Sequence, residues 1–327
     1  MRALIASLGS IGRRHLENLR ALRPEAEIGV LRERGPACPL PGVSHVFQSL
    51  ADALRFAPHV AIVAGPASRH IAVARPLADA GAHLLIEKPI SHRIEGVGDL
   101  IEVCRARNLV LMVGYVLRFS PAAQRARSEL MAGRIGRLLA FRAEVGQHLE
   151  DWRPATEYRQ SVSARSELGG GALLELSHEL DLARWMAGEV VRVSAESAAL
   201  GGLEIDVEDC AEILLAFRAP VLGSIHVDML QRPALRRCTL VGESGRLELD
   251  LLAERLVLHA AGEDRARELH AAPAPGRNAL YRAELEHFLS CAETGTRPCV
   301  TGEDGRAALA LVLAAKRAAA SGRSVHP

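Results

Sequence analysis

Short apolar runs alternate with longer amphipathic stretches through the first part of the chain. The apolar runs lie at 2–7, 28–31, 60–64, 84–86 and 110–113, and helix-like periodicity fills the intervals between them. Strands that alternate with helices are typical of a parallel, doubly wound sheet. The pattern therefore predicts a first domain of α/β class over residues 1–118.

Apolar and polar positions alternate with a period of two from residue 119 onward, beginning with the stretch 139–146. Further strand-like runs lie at 190–199, 210–218, 221–229, 237–241, 246–250 and 255–259. A helix is expected over 172–188, and a helix-rich segment closes the chain from 279 to 320. So many strands without helices between them predict a second, α+β domain over 119–327 with a large, mostly antiparallel sheet.

The first strand runs directly into a glycine-rich turn, Ser7-Leu8-Gly9-Ser10-Ile11-Gly12. The turn matches the dinucleotide fingerprint G-x-G-x-x-G, with Ser7 in place of the first glycine. Gly9 would let the backbone approach a pyrophosphate, Gly12 would let the helix pack on the strand, and the helix start would offer its N–H groups to phosphates. Ser7, Gly9, Ser10, Ile11 and Gly12 are therefore candidate cofactor-binding residues, and a plain strand–turn–helix is the alternative.

A charged triplet, Arg32-Glu33-Arg34, ends the second strand. At this place an acid binds the adenosine ribose hydroxyls, whereas an arginine suits a 2′-phosphate. Because arginine flanks the acid on both sides, the triplet predicts NAD(P)(H) with a lean to NADP(H); a solvated charged loop is the alternative. Further cofactor contacts are expected where the next strand enters its turn, at Ala64, Gly65, Pro66 and His70.

The strand at 84–86 ends on Glu87-Lys88-Pro89. Pro89 prevents the strand from continuing inside a sheet, so Glu87 and Lys88 are expected at the carboxyl edge, where α/β folds bind ligands. Among forty Lys+Arg residues only Lys88 and Lys316 are lysine. A lysine is a compact ammonium whose pKa can fall far enough for proton exchange, which makes Lys88 a candidate catalytic residue. A chance ion pair with Glu87 is the alternative.

Three glycines, 169–171, precede a predicted helix that carries Glu175, His178 and Asp181. At 100° per residue these three side chains fall within an arc of about 120°, among large apolar residues. Titratable groups in such surroundings are desolvated and have shifted pKa values, so the three are candidates for acid–base chemistry. A core histidine satisfied by Asp181 is the alternative.

A polar loop with aromatic residues lies upstream, at 151–154 and 158–159. It contains Trp152, Arg153 and Tyr158. The loop could cover a substrate or could merely connect two elements on the surface.

Together these motifs resemble the Gfo/Idh/MocA family of oxidoreductases over nearly the whole chain. The resemblance rests on Gly9-Ser10-Ile11-Gly12, Glu87-Lys88-Pro89, Gly114-Tyr115 with Arg118-Phe119, Gly169–Gly171 with His178 and Asp181, and Tyr281…Glu284-Leu285…His287-Phe288-Leu289. It implies an N-terminal Rossmann domain and a second domain whose open-faced sheet makes homodimer or homotetramer contacts. It also implies an NAD(P)-dependent dehydrogenase or reductase that acts on a secondary alcohol or ketone of a sugar, cyclitol or nucleotide-sugar.

The resemblance implies that Lys88 corresponds to the catalytic lysine of the family and that His178 corresponds to its acid/base histidine. Glu175 and, less directly, Asp181 would orient the imidazole. Many members have an aspartate four residues before the histidine, whereas Glu175 lies three before it, with a carboxylate one methylene further out.

Two other departures are Ser7 for the first phosphate-loop glycine and Val116 for an asparagine common before the Arg-Phe pair. The loop with Trp152 and Tyr158 resembles a branch found near surface-sugar genes, which favours a modified sugar as substrate. The expected substrate contacts are Tyr115, Arg118, Trp152, Arg153, Tyr158 and His178.

The composition of the chain gives no sign of a nucleic-acid, membrane or metal partner. A net charge of +1 in 327 residues gives no reason to expect nucleic acid or an anionic membrane surface. No apolar run reaches the ~18 residues of a membrane span. Six cysteines form no C-x-x-C pair or metal-ligand spacing, which predicts reduced thiols in the cytoplasm and no metal site.

Three hypotheses remain open. The first is an active oxidoreductase with a small sugar-like substrate. The second is a dinucleotide-binding sensor of the same fold without turnover, against which the presence of Lys88 and His178 argues. The third is a structural scaffold, which the glycine turn disfavours.

Overall fold

The computed structural model describes residues 1–32, 40–152, 154, 157–271, 276 and 278–327. The chain divides into two compact units, Met1–Val116 with Asn278–Ala307 and Leu117–Arg277 with Ala308–Pro327. The domain boundary that the sequence places at residue 118 stays a prediction.

The strands and helices follow in chain order. The strands are β1 (Arg2–Ala6), β2 (Glu27–Leu31), β3 (His45–Phe47), β4 (Val60–Val63), β5 (His83–Ile86), β6 (Leu111–Val113), β7 (Leu138–Gly146), β8 (Val190–Ala198), β9 (Cys210–Phe217), β10 (Leu222–Asp228), β11 (Leu235–Gly242), β12 (Gly245–Asp250), β13 (Arg255–Ala260) and β14 (Arg267–Ala271). The helices are α1 (Ser10–Leu22), α2 (Leu50–Arg55), α3 (His70–Asp79), α4 (Val97–Ala106), α5 (Pro121–Met131), α6 (Ala172–Glu175), α7 (His178–Ala187), α8 (Asn278–Thr294) and α9 (Gly302–Ser321).

The first unit contains a six-stranded sheet in the order β3-β2-β1-β4-β5-β6, and every neighbouring pair is parallel. All four residues of β4 are buried, as expected for a parallel strand covered on both faces. The register pairs Ala6 with Leu31 and Val63, and Val63 with Ile86, so the strands end at one common edge. Chain order reverses between β1 and β4, the point where doubly wound sheets bind ligands. The predicted Rossmann sheet is confirmed.

The second unit contains an eight-stranded sheet in the order β14-β13-β12-β11-β7-β10-β9-β8. All its pairs are antiparallel except β7 with β10. Phe141, Ile213 and Ile225 are buried on one face, whereas Arg142 and Leu214 are exposed on the other. The predicted α+β unit with an open-faced, mostly antiparallel sheet is confirmed.

The structure corrects one predicted element. The helix expected over 172–188 is two helices, α6 and α7, because the backbone leaves the helical conformation at Leu176 (φ −102°, ψ 26°) and α7 restarts at His178. Glu175 and His178 are therefore not on one continuous helix, and the common arc predicted for Glu175, His178 and Asp181 is wrong.

Two short strands and one helix are additions to the predicted set. They are β3, β14 and α2, and the last is capped by the Ser49 side chain, which accepts from the backbone N–H of Asp52. Within the described residues, no helix combines the length and the apolar character needed to cross a membrane.

Candidate functional site

The glycine turn between β1 and α1 has three positions with different steric demands. Ser7 lies at φ +85°, a conformation that non-glycine residues adopt rarely, where the fingerprint has its first glycine. A Cβ on Gly12 would lie 2.1 Å from the Ser7 carbonyl oxygen, so the close packing of α1 on the turn requires glycine there. A Cβ on Gly9 would meet none of the described residues within 4 Å. The fold therefore does not need glycine at position 9.

The start of α1 is suited to an anion. Gly9 is its N-cap residue and forms no side-chain cap hydrogen bond, so the first-turn N–H groups are not used by a capping side chain. Such N–H groups and the helix dipole stabilise a phosphate. The turn thus fits the pyrophosphate of a dinucleotide at Gly9–Gly12.

Neighbouring strand ends extend this edge. The backbone N–H of Ser7 donates to the Leu31 oxygen (2.9 Å), and a Cβ on Gly65 would lie 3.5 Å from the Ser7 Cβ. Arg32 follows directly on β2, and its backbone N–H donates to the Phe47 oxygen (2.8 Å). Glu33 and Arg34, the other two residues of the charged triplet, lie outside the described residues.

His70 connects two turns of this edge from α3. Its side chain is buried, with Nε2 2.9 Å from the Gly65 oxygen and Nδ1 3.0 Å from the Pro89 oxygen. Burial lowers the pKa of His70, and a neutral imidazole donates to one carbonyl at a time. The imidazole thus lies between the turn after β4 and the turn after β5 and donates a hydrogen bond to one of them. Its predicted contact with a cofactor stays a prediction.

Glu87 lies at the end of β5 in a buried polar cluster. Its Oε1 is 2.6 Å from His15 Nε2, and its Oε2 accepts from the backbone N–H of Lys88 (3.3 Å). Burial alone would raise the pKa of Glu87, but the hydrogen bond and charge of His15, with the charges of Lys88 and His70, bring it below its ordinary value. A Cβ on Gly114 would lie 3.1 Å from Oε2. The Glu87 carboxylate is therefore held in one position, and half-buried Lys88 follows it in the chain.

The cluster also contains Glu284 from α8, which our candidate residues do not include. Glu284 is fully buried, and neither of its carboxyl oxygens has a hydrogen-bond partner among the described residues. Burial, with the charge of Glu87, raises the pKa of Glu284 well above its ordinary value. His15 comes directly after the glycine turn and Glu284 lies in the Tyr281 motif, but no periodicity in the sequence pairs them.

The glycine run 169–171 packs against its own unit. A Cβ on Gly170 would lie 2.5 Å from the Val162 oxygen, and one on Gly171 (φ +103°) would lie 2.6 Å from Glu208 Oε1. Glu208 also accepts from the Leu173 N–H (3.2 Å) and lies 3.0 Å from Lys316 Nζ. The close approach predicted from the glycines is thus made by the chain itself, and Lys316 serves this packing.

Two bidentate ion pairs fix the first turn of α7, which begins with His178. Asp181 accepts from Arg118 Nε (2.9 Å) and Nη2 (2.5 Å), and Glu179 accepts from Arg236 Nε (2.7 Å) and Nη2 (3.1 Å). Asp181, Glu179 and Arg118 are buried, and bidentate geometry makes such pairs directional. The Asp181 carboxylate is thus committed to Arg118, and the predicted roles of Asp181 in orienting the imidazole and of Arg118 in contacting substrate stay predictions.

The other candidate substrate residues have structural contacts as well. Tyr115 is fully buried. Trp152 Nε1 donates to the Gln147 oxygen (2.9 Å), while Tyr158 Oη accepts from the Glu204 N–H (3.5 Å). Arg153 lies outside the described residues. Trp152 and Tyr158 are therefore tied to neighbouring segments of their own unit, and the role of a substrate lid stays a prediction.

A Rossmann sheet with a glycine turn at its switch point, in a chain with a second, open-faced sheet, is typical of dinucleotide-dependent oxidoreductases. Two family models agree with this class. "Oxidoreductase family, NAD-binding Rossmann fold" matches residues 1–115, and "GFO/IDH/MocA C-terminal domain" matches residues 123–248.

Curated relatives cover most of the chain. Myo-inositol 2-dehydrogenase of Thermotoga maritima is 28% identical over 99% of this chain and 98% of its own length. 1,5-Anhydro-D-fructose reductase of Ensifer adhaerens is 30% identical over 76% of this chain and 73% of its own length. The chain belongs to the Gfo/Idh/MocA oxidoreductase family.

Solved structures share the whole fold. Levoglucosan dehydrogenase in complex with NADH and levoglucosan aligns with a TM-score of 0.87 at 20% identity, over 100% of this chain and 99% of that one. The WlbA dehydrogenase from Bordetella pertussis, in complex with NADH and UDP-GlcNAcA, aligns with a TM-score of 0.81 at 25% identity. The alignment covers 100% of this chain and 98% of that one.

Proposed function

We propose that this oxidoreductase transfers a hydride between a nicotinamide dinucleotide and a secondary alcohol or ketone of a sugar, cyclitol or nucleotide-sugar. One observation carries the proposal: Gly9 and Lys88 follow β1 and β5 of one parallel sheet, with β4 alone between these two strands. Two strand spacings are about 10 Å, so one extended dinucleotide can reach from the turn to the lysine.

The named relatives support this substrate class. They include dehydrogenases of inositol and levoglucosan and a reductase of 1,5-anhydro-D-fructose, all acting on polyhydroxylated rings. Nucleotide-sugars belong to the proposal because the B. pertussis enzyme is bound to UDP-GlcNAcA together with NADH. Neither finding favours the sensor without turnover. The surface-sugar branch and the cytoplasmic location stay predictions from the sequence.

Each candidate residue has a distinct role in the proposed reaction. The bound nicotinamide supplies the hydride acceptor or donor. Lys88 stabilises negative charge that develops on the reacting oxygen, which is an electrostatic role. His178 exchanges the proton of that oxygen, since the ordinary pKa of histidine lies near neutrality. Glu175, and less directly Asp181, would orient the imidazole.

Gly9→Val tests the cofactor site. A Cβ at position 9 would meet none of the described residues within 4 Å, and the backbone at Gly9 (φ −66°, ψ −171°) is extended and ordinary for valine. The side chain would occupy the place where the pyrophosphate must approach. We expect NADH affinity, measured by fluorescence titration, to fall about a hundredfold or more, about 2.7 kcal/mol, while thermal unfolding stays nearly unchanged.

Gly98→Val is the matched control, because a Cβ there also meets nothing within 4 Å. This variant should bind NADH like the parent. If Gly9→Val bound NADH with the same affinity as the parent, the dinucleotide would not bind at this turn.

The choice between NADH and NADPH depends on the charged triplet after β2. We propose a preference for NADPH, because Arg32 directly follows the strand and a guanidinium binds phosphate in a bidentate fashion. Side-by-side titrations should show NADPH bound at least as tightly as NADH, and Arg32→Gln should weaken NADPH binding selectively. A tenfold preference of the parent for NADH, about 1.4 kcal/mol, would contradict this proposal.

We also propose that the open face of the eight-stranded sheet forms a dimer or tetramer contact. Leu214 and Leu222 are 62% and 67% exposed on this face, on the adjacent strands β9 and β10. Leu222→Glu should lower the mass found by light scattering at micromolar concentration, whereas Leu252→Glu, on the turn between β12 and β13, should not. A parent that is already monomeric at that concentration would contradict the proposal.

A further inference from the structure

Three titratable side chains from separate elements meet beneath the edge of the Rossmann sheet. His15 comes from α1, Glu87 from the end of β5 and Glu284 from α8, and all three are buried. One nitrogen or oxygen atom of each lies within 4.8 Å of the others. Within the cluster only His15 and Glu87 are hydrogen-bonded, at 2.6 Å. Neither oxygen of Glu284 has a partner in the part of the chain that the structure describes.

The charges of this cluster do not balance if both carboxyls are ionised. A single histidine can compensate one carboxylate at most, and His15 lies 2.6 Å from the Glu87 carboxylate. A second, unpaired carboxylate in a buried site costs several kcal/mol in effective desolvation free energy, so such a group takes up a proton or pairs with a cation. The directions of the two pKa shifts, lowered for Glu87 and raised for Glu284, agree with a proton on Glu284.

We propose that Glu284 is a neutral carboxylic acid in the folded enzyme, that its O–H donates to the Glu87 carboxylate, and that it thereby positions Lys88. A carboxyl oxygen of Glu284 lies within 4.8 Å of one of Glu87, and the proposed bond requires these two oxygens to approach to the 2.5–3.0 Å of an O–H donor. Glu87 already accepts from His15 and from the Lys88 backbone. A third donor would fix its carboxylate, and with it the backbone at Lys88. The catalytic relevance of this arrangement rests on the proposed function of Lys88.

A divalent cation is the competing occupant, but the observed geometry favours the proton. His15 Nε2 lies 2.6 Å from Glu87 Oε1, the separation of a short hydrogen bond. A cation bound by both residues would have to replace that hydrogen bond.

Glu284→Gln tests the protonation state without using activity, because glutamine imitates the neutral acid. An acid whose pKa is raised by folding stabilises the protein at low pH, and this stabilisation is lost as pH rises through the folded-state pKa. The parent should therefore lose thermal stability relative to Glu284→Gln as pH rises from the ordinary pKa of a glutamate towards the raised folded-state pKa of Glu284. The surrounding titratable groups are His15 on α1, Glu87 and Lys88 after β5 and His70 on α3, and both proteins contain all of them. Parallel stability curves would overturn the proposal, as would a divalent cation found by elemental analysis in the parent and lost in Glu284→Gln.

The positioning role has its own readout, because the chain has two lysines. Carbon-13 methylation should give separate NMR signals for Lys88, Lys316 and the amino terminus. Glu284→Leu removes the donor and replaces a buried polar group with an apolar one, so the fold should persist. We expect Glu284→Leu to change the chemical shift of Lys88 but not that of Lys316. Glu284→Gln should change neither chemical shift. An unmoved Lys88 signal in Glu284→Leu would overturn the positioning role. These measurements need no substrate, so they can fail or succeed independently of the proposed reaction.

Discussion

Lys88→Arg is expected to lower turnover by about a hundredfold or more and to leave NADH affinity within about twofold of the parent. The guanidinium keeps the positive charge, but it is a planar fork on a longer side chain and not a compact ammonium. Lys88 is half-buried and directly follows Glu87, whose carboxylate is fixed by His15, so the larger group cannot take the same position. Electrostatic stabilisation of a developing oxyanion depends on such placement.

The assay follows nicotinamide reduction with the polyols named for the relatives, myo-inositol and levoglucosan, and with UDP-GlcNAcA. Lys316→Arg is the matched control. Lys316 forms an ion pair with Glu208 and has no role in the proposed chemistry. It should retain parental turnover. Parental turnover in Lys88→Arg would show that the ammonium is not required.

His178→Ala should lower the rate by ~10²–10⁴-fold, the usual contribution of a positioned acid or base. In the oxidative direction the base must be unprotonated, so kcat/KM of the parent should fall as pH drops through the histidine pKa. The variant lacks this group, and its profile should be flat on the acidic limb. Because both ion pairs of α7 remain in place, the variant should keep the fold of this segment.

His45→Ala serves as the control for the loss of an imidazole, because His45 lies exposed on the edge strand β3 and pairs only with Glu27 among the ion pairs of the described residues. Its pH profile should match that of the parent. If His178→Ala kept both the rate and the profile, the base would have to be another residue, and Lys88 or Tyr158 would be tested next.

Most of the fold follows from the hydrophobic pattern, and the exceptions have physical causes. The parallel strands β1, β4 and β5 are buried on both faces and therefore stand out as continuous apolar runs. By contrast, β3 has three residues, none of them buried, and β14 carries no buried residue at all. An edge strand of this kind has no periodic signal. The break between α6 and α7 is also invisible, because apolar residues continue across Leu176.

The candidate site was predictable where backbone geometry determines the residue type. Gly12 is such a case, because a Cβ at this position would lie 2.1 Å from the Ser7 oxygen and only glycine avoids that overlap. Side-chain partners were not predictable. Asp181 finds Arg118 and Glu179 finds Arg236 across 63 and 57 residues, and the sequence contains many other arginines that could have paired with them. Glu284 likewise reaches Glu87 only through the packing of α8 in the first unit.

A crystal structure of the protein with NADH tests the central proposal most directly. The account predicts density for a dinucleotide whose pyrophosphate lies over Gly9–Gly12 at the start of α1 and whose nicotinamide lies at Lys88. Density for the dinucleotide at another edge of the sheet, or a nicotinamide remote from Lys88, would contradict it.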